Sequence, residues 1–220
     1  AVKADLRRSR LDATRTLVQA LAAGERSPRV LVNASATGYY GDRGDEVLDE
    51  GSARGVGFLA DLAADWEAAA EGAAELGVRV VRLRLGMVVG RGGALARMLT
   101  PFRLGLGGPL GSGRQFWPWI GIDDVLGVIR FAIERGTLAG PVNVVSPEPL
   151  RCRGFVTTLG KVLRRPAFLP APSFALRLAL GEMADGLLLG SARVLPRRLA
   201  DEGYVFRTPD LADAIRHAIA

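Results

Sequence analysis

The chain has 220 residues, 49% hydrophobic and 24% charged, with a net charge of +6. That composition suits a folded globular protein of one large domain or one and a half small ones, with a sizeable core. Cys152 is the single cysteine and His217 the single histidine, so an internal disulfide, a cysteine metal cluster, a Ser-His-Asp triad and a histidine-rich metal site all lack support, and no metal is expected. No apolar run reaches the roughly 18 residues that cross a bilayer, and no stretch reads as a signal peptide, so a cytoplasmic location without membrane contact is expected. The positive charge is spread along the chain, with no basic stripe interleaved with aromatics. Small anionic ligands are mildly favoured and nucleic acid is not expected.

Lys3 to Ala23 places Leu6, Leu11, Leu17, Val18 and Leu21 at mostly helical spacing, which predicts a helix ending near Gly24. Arg29 to Ala34 (RVLVNA) reads as a buried strand. A long polar, glycine-rich loop from Ser35 to Gly57 follows. Phe58 to Leu76 is a predicted helix with Leu59, Leu62, Trp66, Ala69 and Ala70 on one face, closed by Gly77 before the strand Val78 to Leu85. Helix, strand, loop, helix, strand is the rhythm of a parallel α/β sheet, whose ligands bind beyond the carboxyl ends of the strands. Those ends are Ala34-Ser35 and Leu85-Gly86.

A short helix from Ala94 to Leu104 leads into the stretch Pro101 to Asp124 (PFRLGLGGPLGSGRQFWPWIGIDD), too punctuated for ordinary elements. Its glycines let backbone amides approach a ligand, and Arg103, Arg114 and Gln115 can donate to anionic or hydroxylated groups. A loop packed on the core by its tryptophans is the other reading. Asp123 or Asp124 is expected to cap a helix running to about Glu134. The strand VNVVS and helices over 153–163, 173–181, 195–202 and 209–219 complete the chain, with Leu187 to Leu189 unassigned.

The motifs SATGYYG (35–41), WEAAA (66–70), RVVRLRLGMVVGRGGAL (79–95), FRLGLGGPLGSGRQFWPWIGIDD (102–124), GPVNVVSP (140–147) and ARVLPRRLADEGYVF (192–206) resemble the extended short-chain dehydrogenase/reductase superfamily. Within it they are similar to the atypical, SDR39U1-like epimerase family with a DUF1731-like C-terminal segment. The resemblance implies a Rossmann-like doubly wound parallel sheet, N-terminally incomplete here, with a small α/β substrate-binding lobe. Residues 1–90 and 121–146 would form the NAD(P)-binding part and 91–120 and 147–220 the lobe. It implies NADP or NAD as cofactor. The family's glycine-rich phosphate turn is not recognised after a first strand, so tight binding to this chain alone is not expected. It also implies a small anionic substrate, with a nucleotide-sugar among the options, and a homodimer as one option.

Such enzymes use a serine or threonine to orient the substrate oxygen, a tyrosine as acid/base and a lysine four residues later that lowers the tyrosine pKa. The resemblance puts Ser35 at the serine position, with Thr37 as fallback. Counting back from Glu67 puts Leu59 at the tyrosine position and Ala63 at the lysine position, and neither can ionise. Tyr39 or Tyr40 could reach the site from the serine loop, or both could be loop-packing aromatics; Tyr40 is taken as the catalytic option. Ala34, Ser35, Leu85, Gly86, Met87 and Val88 are the expected cofactor contacts. Arg103, Arg114, Gln115 and Trp119 are the expected substrate contacts. Arg84 is expected to pair with a buried carboxylate such as Glu67 or Asp123. The implied function is an NAD(P)-dependent sugar-nucleotide epimerase or oxidoreductase lacking the usual Tyr-Lys pair; the alternative is a non-catalytic NADPH-binding sensor.

Overall fold

A computed structural model describes residues 2–220. In chain order the elements are α1 (Val2–Ala23), β1 (Val30–Ala36), β2 (Val47–Leu48), α2 (Phe58–Glu71), β3 (Arg79–Leu85), β4 (Met87–Val89), α3 (Gly93–Arg103), β5 (Phe116–Trp117) and β6 (Trp119–Gly121). There follow α4 (Ile122–Glu134), β7 (Gly140–Val144), β8 (Leu150–Arg151), α5 (Cys152–Leu163), α6 (Ser173–Leu180), β9 (Arg193–Val194), α7 (Arg197–Asp201) and α8 (Leu211–Ile219). The apolar run left unassigned is part of a π-helical turn, Asp185–Leu189.

The main sheet is parallel, in the order β1-β3-β7. Its two faces differ because strand residues alternate sides. One face carries Val30, Val32, Val81, Leu83, Leu85, Val142 and Val144, packed under Val125, Val128 and Ala132 of α4. The other face meets α1 and α2 and grows polar toward the strand ends. Leu31 pairs in register with Val80, Asn33 with Arg82, and then Ser35, Arg84 and Asn143 form one row across all three strands. β1 also runs to Ala36, two residues past its expected end. Ser35 is therefore a strand residue aimed under α2, not the first residue of a loop.

Residues 85–122 and 149–189 build a second core. Val89, Leu95, Phe102, Trp117, Trp119, Phe155, Val156 and Leu159 cluster there, closed by Leu211, Ala214 and Ile215 of α8. Two short parallel or antiparallel pairs, β4-β6 and β5-β8, tie this lobe together. The segment 192–206 returns to the sheet: β9 pairs with β2, and Leu199, Tyr204 and Phe206 join the core beneath α4.

Neither Asp123 nor Asp124 caps α4, whose N-cap is Gly121 without a side-chain bond. Asp124 is fully buried and instead accepts from the backbone N–H groups of Arg207 (2.8 Å) and Thr208 (2.9 Å), the Thr208 hydroxyl (2.8 Å) and the Tyr204 hydroxyl (3.1 Å). It pins the returning segment. His217 is exposed on α8, with Nδ1 3.2 Å from Asp123. Asp210 does cap its helix, accepting from the Asp213 N–H at 3.0 Å. Asp210→Ala should lower stability by about 1 kcal/mol in urea unfolding, with the slope unchanged.

Candidate functional site

The strand ends hold a buried polar network. Arg84 is 3% exposed and forms a two-bond pair with Glu67 of α2, Nε to Oε1 at 2.8 Å and Nη2 to Oε2 at 2.9 Å. Glu67 is one of the two carboxylates expected for it. The Ser35 hydroxyl donates to Glu67 Oε1 at 2.7 Å. Arg84 Nη1 donates to the Tyr40 hydroxyl at 3.0 Å, and that hydroxyl lies 2.7 Å from Asn143 Oδ1 and 2.9 Å from the Asp49 carbonyl. The Asn143 N–H donates to Glu50 Oε1 at 2.9 Å. The guanidinium also stacks on the Tyr39 ring, 3.5 Å from its centroid. Burial disfavours the Arg84 cation, yet its bonds to Glu67 and Tyr40 outweigh that and raise its pKa.

This arrangement corrects two expectations. Tyr40 is wholly buried. Burial pushes its hydroxyl up to about 12, with Arg84 pulling weakly the other way. Its proton is held for structural bonds, and no substrate atom can reach it. Ser35, 2% exposed, turns its hydroxyl inward to Glu67 because β1 continues through it. Both side chains belong to the scaffold under the site.

Thr37 is the first residue past β1, and its hydroxyl lies 3.3 Å from the Leu85 carbonyl at the end of β3. Around it, Ala34 is exposed and Ala36, Gly38, Tyr39, Leu85, Gly86, Met87 and Val88 are partly so. These residues form a rim of backbone and small apolar side chains. Leu59, Ala63 and Glu67 share one face of α2 at four-residue spacing, and Leu59 packs over Gly38. The position where a proton-relay tyrosine would stand is thus occupied by a leucine against the loop. Tyr39 is the one tyrosine whose hydroxyl has no partner among the described residues. The Gly86 glycine is explained by packing: a Cβ there would come within 2.8 Å of the Pro118 carbonyl oxygen, where β4 begins to pair with β6.

The four substrate candidates part company. Trp119 is 1% exposed and belongs to the lobe core. Gln115 is 6% exposed, and its amide donates to the Leu110 and Leu188 carbonyls at 3.0 and 2.9 Å, lacing the lobe to the π-helical turn. Both are corrections: the tryptophan and glutamine of that stretch hold the loop rather than a ligand. Arg103 and Arg114 are exposed. Arg114 lies beside the bidentate Arg151–Asp45 pair, its carbonyl accepting from Arg151. Glu50 escaped the sequence reading, Asn143 reads there only as a structural residue at a strand end, and Asp124 only as a helix cap. For Asn143 and Glu50 the signal needed was the register of β7, which no local pattern carries.

Residues 2–145 match the family model described as the NAD dependent epimerase/dehydratase family. The chain belongs to that family. Residues 171–218 match a second model, a domain of unknown function named DUF1731. This epimerase-family chain is 42% identical over 220 residues to the epimerase family protein Mb2239 of Mycobacterium bovis, covering 99% of the chain and 72% of the relative. It is 41% identical over 215 residues to the mouse epimerase family protein SDR39U1, covering 96% of the chain and 73% of the relative. Among solved structures it superposes on human epimerase family protein SDR39U1 with NADPH (TM-score 0.89, 37% identity, 96% of the chain and 72% of that one). It also superposes on the nucleoside-diphosphate sugar epimerase of Corynebacterium glutamicum (TM-score 0.79, 33% identity, 99% and 43%). The parallel sheet is Rossmann-like, as in these epimerase neighbours.

The epimerase-family rim suits one end of a dinucleotide. Leu85, Met87 and Val88 offer partly exposed apolar surface beyond the strand ends, the place for a nicotinamide ring in such a sheet, with the Thr37 hydroxyl beneath it bonded to the Leu85 carbonyl. The pyrophosphate end finds no counterpart in the glycine-rich stretch: Gly105, Gly108 and Gly111 lie in an irregular segment that opens no helix and pairs with residues 169–171.

Proposed function

We propose that this chain is the nicotinamide-facing and substrate-facing part of an NAD(P)-dependent epimerase or oxidoreductase that works without the Tyr-Lys pair on a nucleotide-sugar-like or other small anionic substrate. The observation that carries the reading is the rim of exposed Ala34 and partly exposed Leu85, Gly86, Met87 and Val88 at the strand ends, over a rigid polar row, with Thr37, 8% exposed, set beneath it. When bound, NAD(P) supplies the hydride. Thr37 orients the substrate oxygen by a hydrogen bond. Ser35, Glu67 and Arg84 keep the Thr37 loop at a fixed height above the sheet. Leu59 excludes water from the ring side of the rim. Arg114 contributes the charge that attracts an anionic group.

Leu59 and Ala63 favour a second reading, an NADPH-binding sensor without turnover. The two separate on a protein of the relatives' full length, loaded with NADPH and screened with sugar nucleotides and small carbonyls. Loss of nicotinamide absorbance with one of them supports the enzyme. Tight cofactor binding with no loss for any of them supports the sensor. The present 220-residue chain should show no saturation at micromolar NADPH in a fluorescence titration, because among the described residues no helix opens with a glycine-rich phosphate turn after a main-sheet strand. Micromolar affinity would contradict that.

A further inference from the structure

Dividing the charge by the fold changes its meaning. Residues 85–122 and 149–181, most of the second core, contain ten Arg and Lys and no Asp or Glu; the rest of the chain has nineteen against twenty-three. The +6 is thus the difference between a strongly basic lobe and a mildly acidic sheet. Within the lobe Arg151 pairs with Asp45 and Arg177 with Asp185. The other eight cations are exposed and have no ion pair among the described residues.

Five of them frame one tip. Helix α3 ends at Arg103, followed by Leu104 and Leu106, which are 70% and 58% exposed. Helix α5 carries Lys161 in its last turn, and Arg164 at its C-cap turns the chain in a left-handed conformation, φ 53°. Arg165, Phe168 and Leu169 follow, with Phe168 78% exposed. The two ends lie side by side: the Leu169 N–H donates to the Gly107 carbonyl at 3.1 Å, and Gly105 faces the Pro166 ring. Arg97, one and a half turns back along α3, is the fifth cation. Large apolar side chains held outward among unpaired cations are costly in water unless something covers them.

We propose that this tip docks on an anionic lipid surface, with Leu104, Leu106, Phe168 and Leu169 entering the headgroup region and the surrounding arginines and lysine meeting lipid phosphates and carboxylates. The charge count selects this occupant. A second copy meeting the tip face to face would set these unpaired cations against one another. A nucleic acid would satisfy the cations but leave three aliphatic side chains without a partner. The contact is peripheral, since no helix among the described residues is long and apolar enough to cross a membrane. The expectation of no membrane contact rested on that same lack of a spanning segment, which does not bear on a surface contact.

Co-sedimentation of the purified chain with vesicles tests this. Pelleting is expected with phosphatidylcholine–phosphatidylserine vesicles, absent with phosphatidylcholine alone, and weakened as salt is raised. Lys161→Ser with Arg165→Ser should weaken partitioning about 25-fold, at about five-fold per charge removed. Leu104→Ser with Phe168→Ser should weaken it at constant charge. All four side chains are outside the cores, so circular dichroism should show the same fold in each variant. Equal pelleting with neutral vesicles, no pelleting, unchanged partitioning in either variant, or retention of single-stranded DNA without vesicle binding would overturn the proposal.

Discussion

Glu67→Ala should lower the unfolding free energy by about 3–5 kcal/mol, because it strands the Arg84 guanidinium in the interior. For a chain of this size that corresponds to a drop in melting temperature of roughly 10 °C. Arg84 is 3% exposed and gives Glu67 two hydrogen bonds, while its remaining partner is the Tyr40 hydroxyl. With Glu67 gone, a buried cation has a hydroxyl and a tyrosine face for company, and Ser35 loses its acceptor. Glu67→Leu with Arg84→Met should recover most of the loss, to within about 2 kcal/mol of the parent, since removing both charges removes the desolvation penalty with the attraction. Urea unfolding of the three proteins checks the cycle. A loss below about 1 kcal/mol for Glu67→Ala would mean that water enters the row, which the 3% exposure of both partners argues against.

Thr37→Val should lower turnover about 100-fold or more, the scale of a positioned hydrogen bond to a reacting oxygen, with NADPH affinity little changed. Ser35→Ala should cost less than about tenfold in turnover and show its effect in stability instead, about 1–2 kcal/mol, because its hydroxyl serves Glu67 and not the rim. The contrast is what the extra length of β1 implies. Because β1 runs to Ala36, Ser35 turns inward to Glu67, and Thr37, 8% exposed, is the first hydroxyl past the strand end. The measurement is kcat and KM on a protein of the relatives' full length, with each variant's melting temperature beside it. The reverse order, a large turnover loss for Ser35→Ala and a small one for Thr37→Val, would restore the serine to the chemistry.

The main elements could be read from periodicity. The apolar β-branched runs before Ala34 and Leu85 announced two parallel strands, and the four-residue spacing of Leu59, Ala63 and Glu67 placed all three on one helix face. The partner of Arg84 could be guessed because a buried strand arginine needs a carboxylate nearby. What could not be read is the cross-strand row. Ser35, Arg84 and Asn143 are far apart in sequence, and only the register of three strands aligns them. Tyr40 points inward from the single turn that follows β1, where its hydroxyl meets Asn143 and Arg84. In the glycine-rich stretch, Gln115 and Trp119 looked like ligand groups because loops of that composition are usually functional. The structure spends them on the lobe core and on the carbonyls of Leu110 and Leu188. The positive residues are spread along the chain; what sets one lobe apart is how few carboxylates it has, which shows only once α3 and α5 are seen to pack together.

In the proposed function, nicotinamide chemistry proceeds with Tyr40 as a structural post and not as the proton donor. The most direct measurement is the rate of nicotinamide absorbance loss in Tyr40→Phe, on a protein of full length with saturating NADPH and the substrate found for the parent. The account predicts turnover within about tenfold of the parent, with a loss of stability from the missing hydroxyl. A fall of about 100-fold or more, with fold and NADPH binding intact, would make Tyr40 the proton donor and contradict the account.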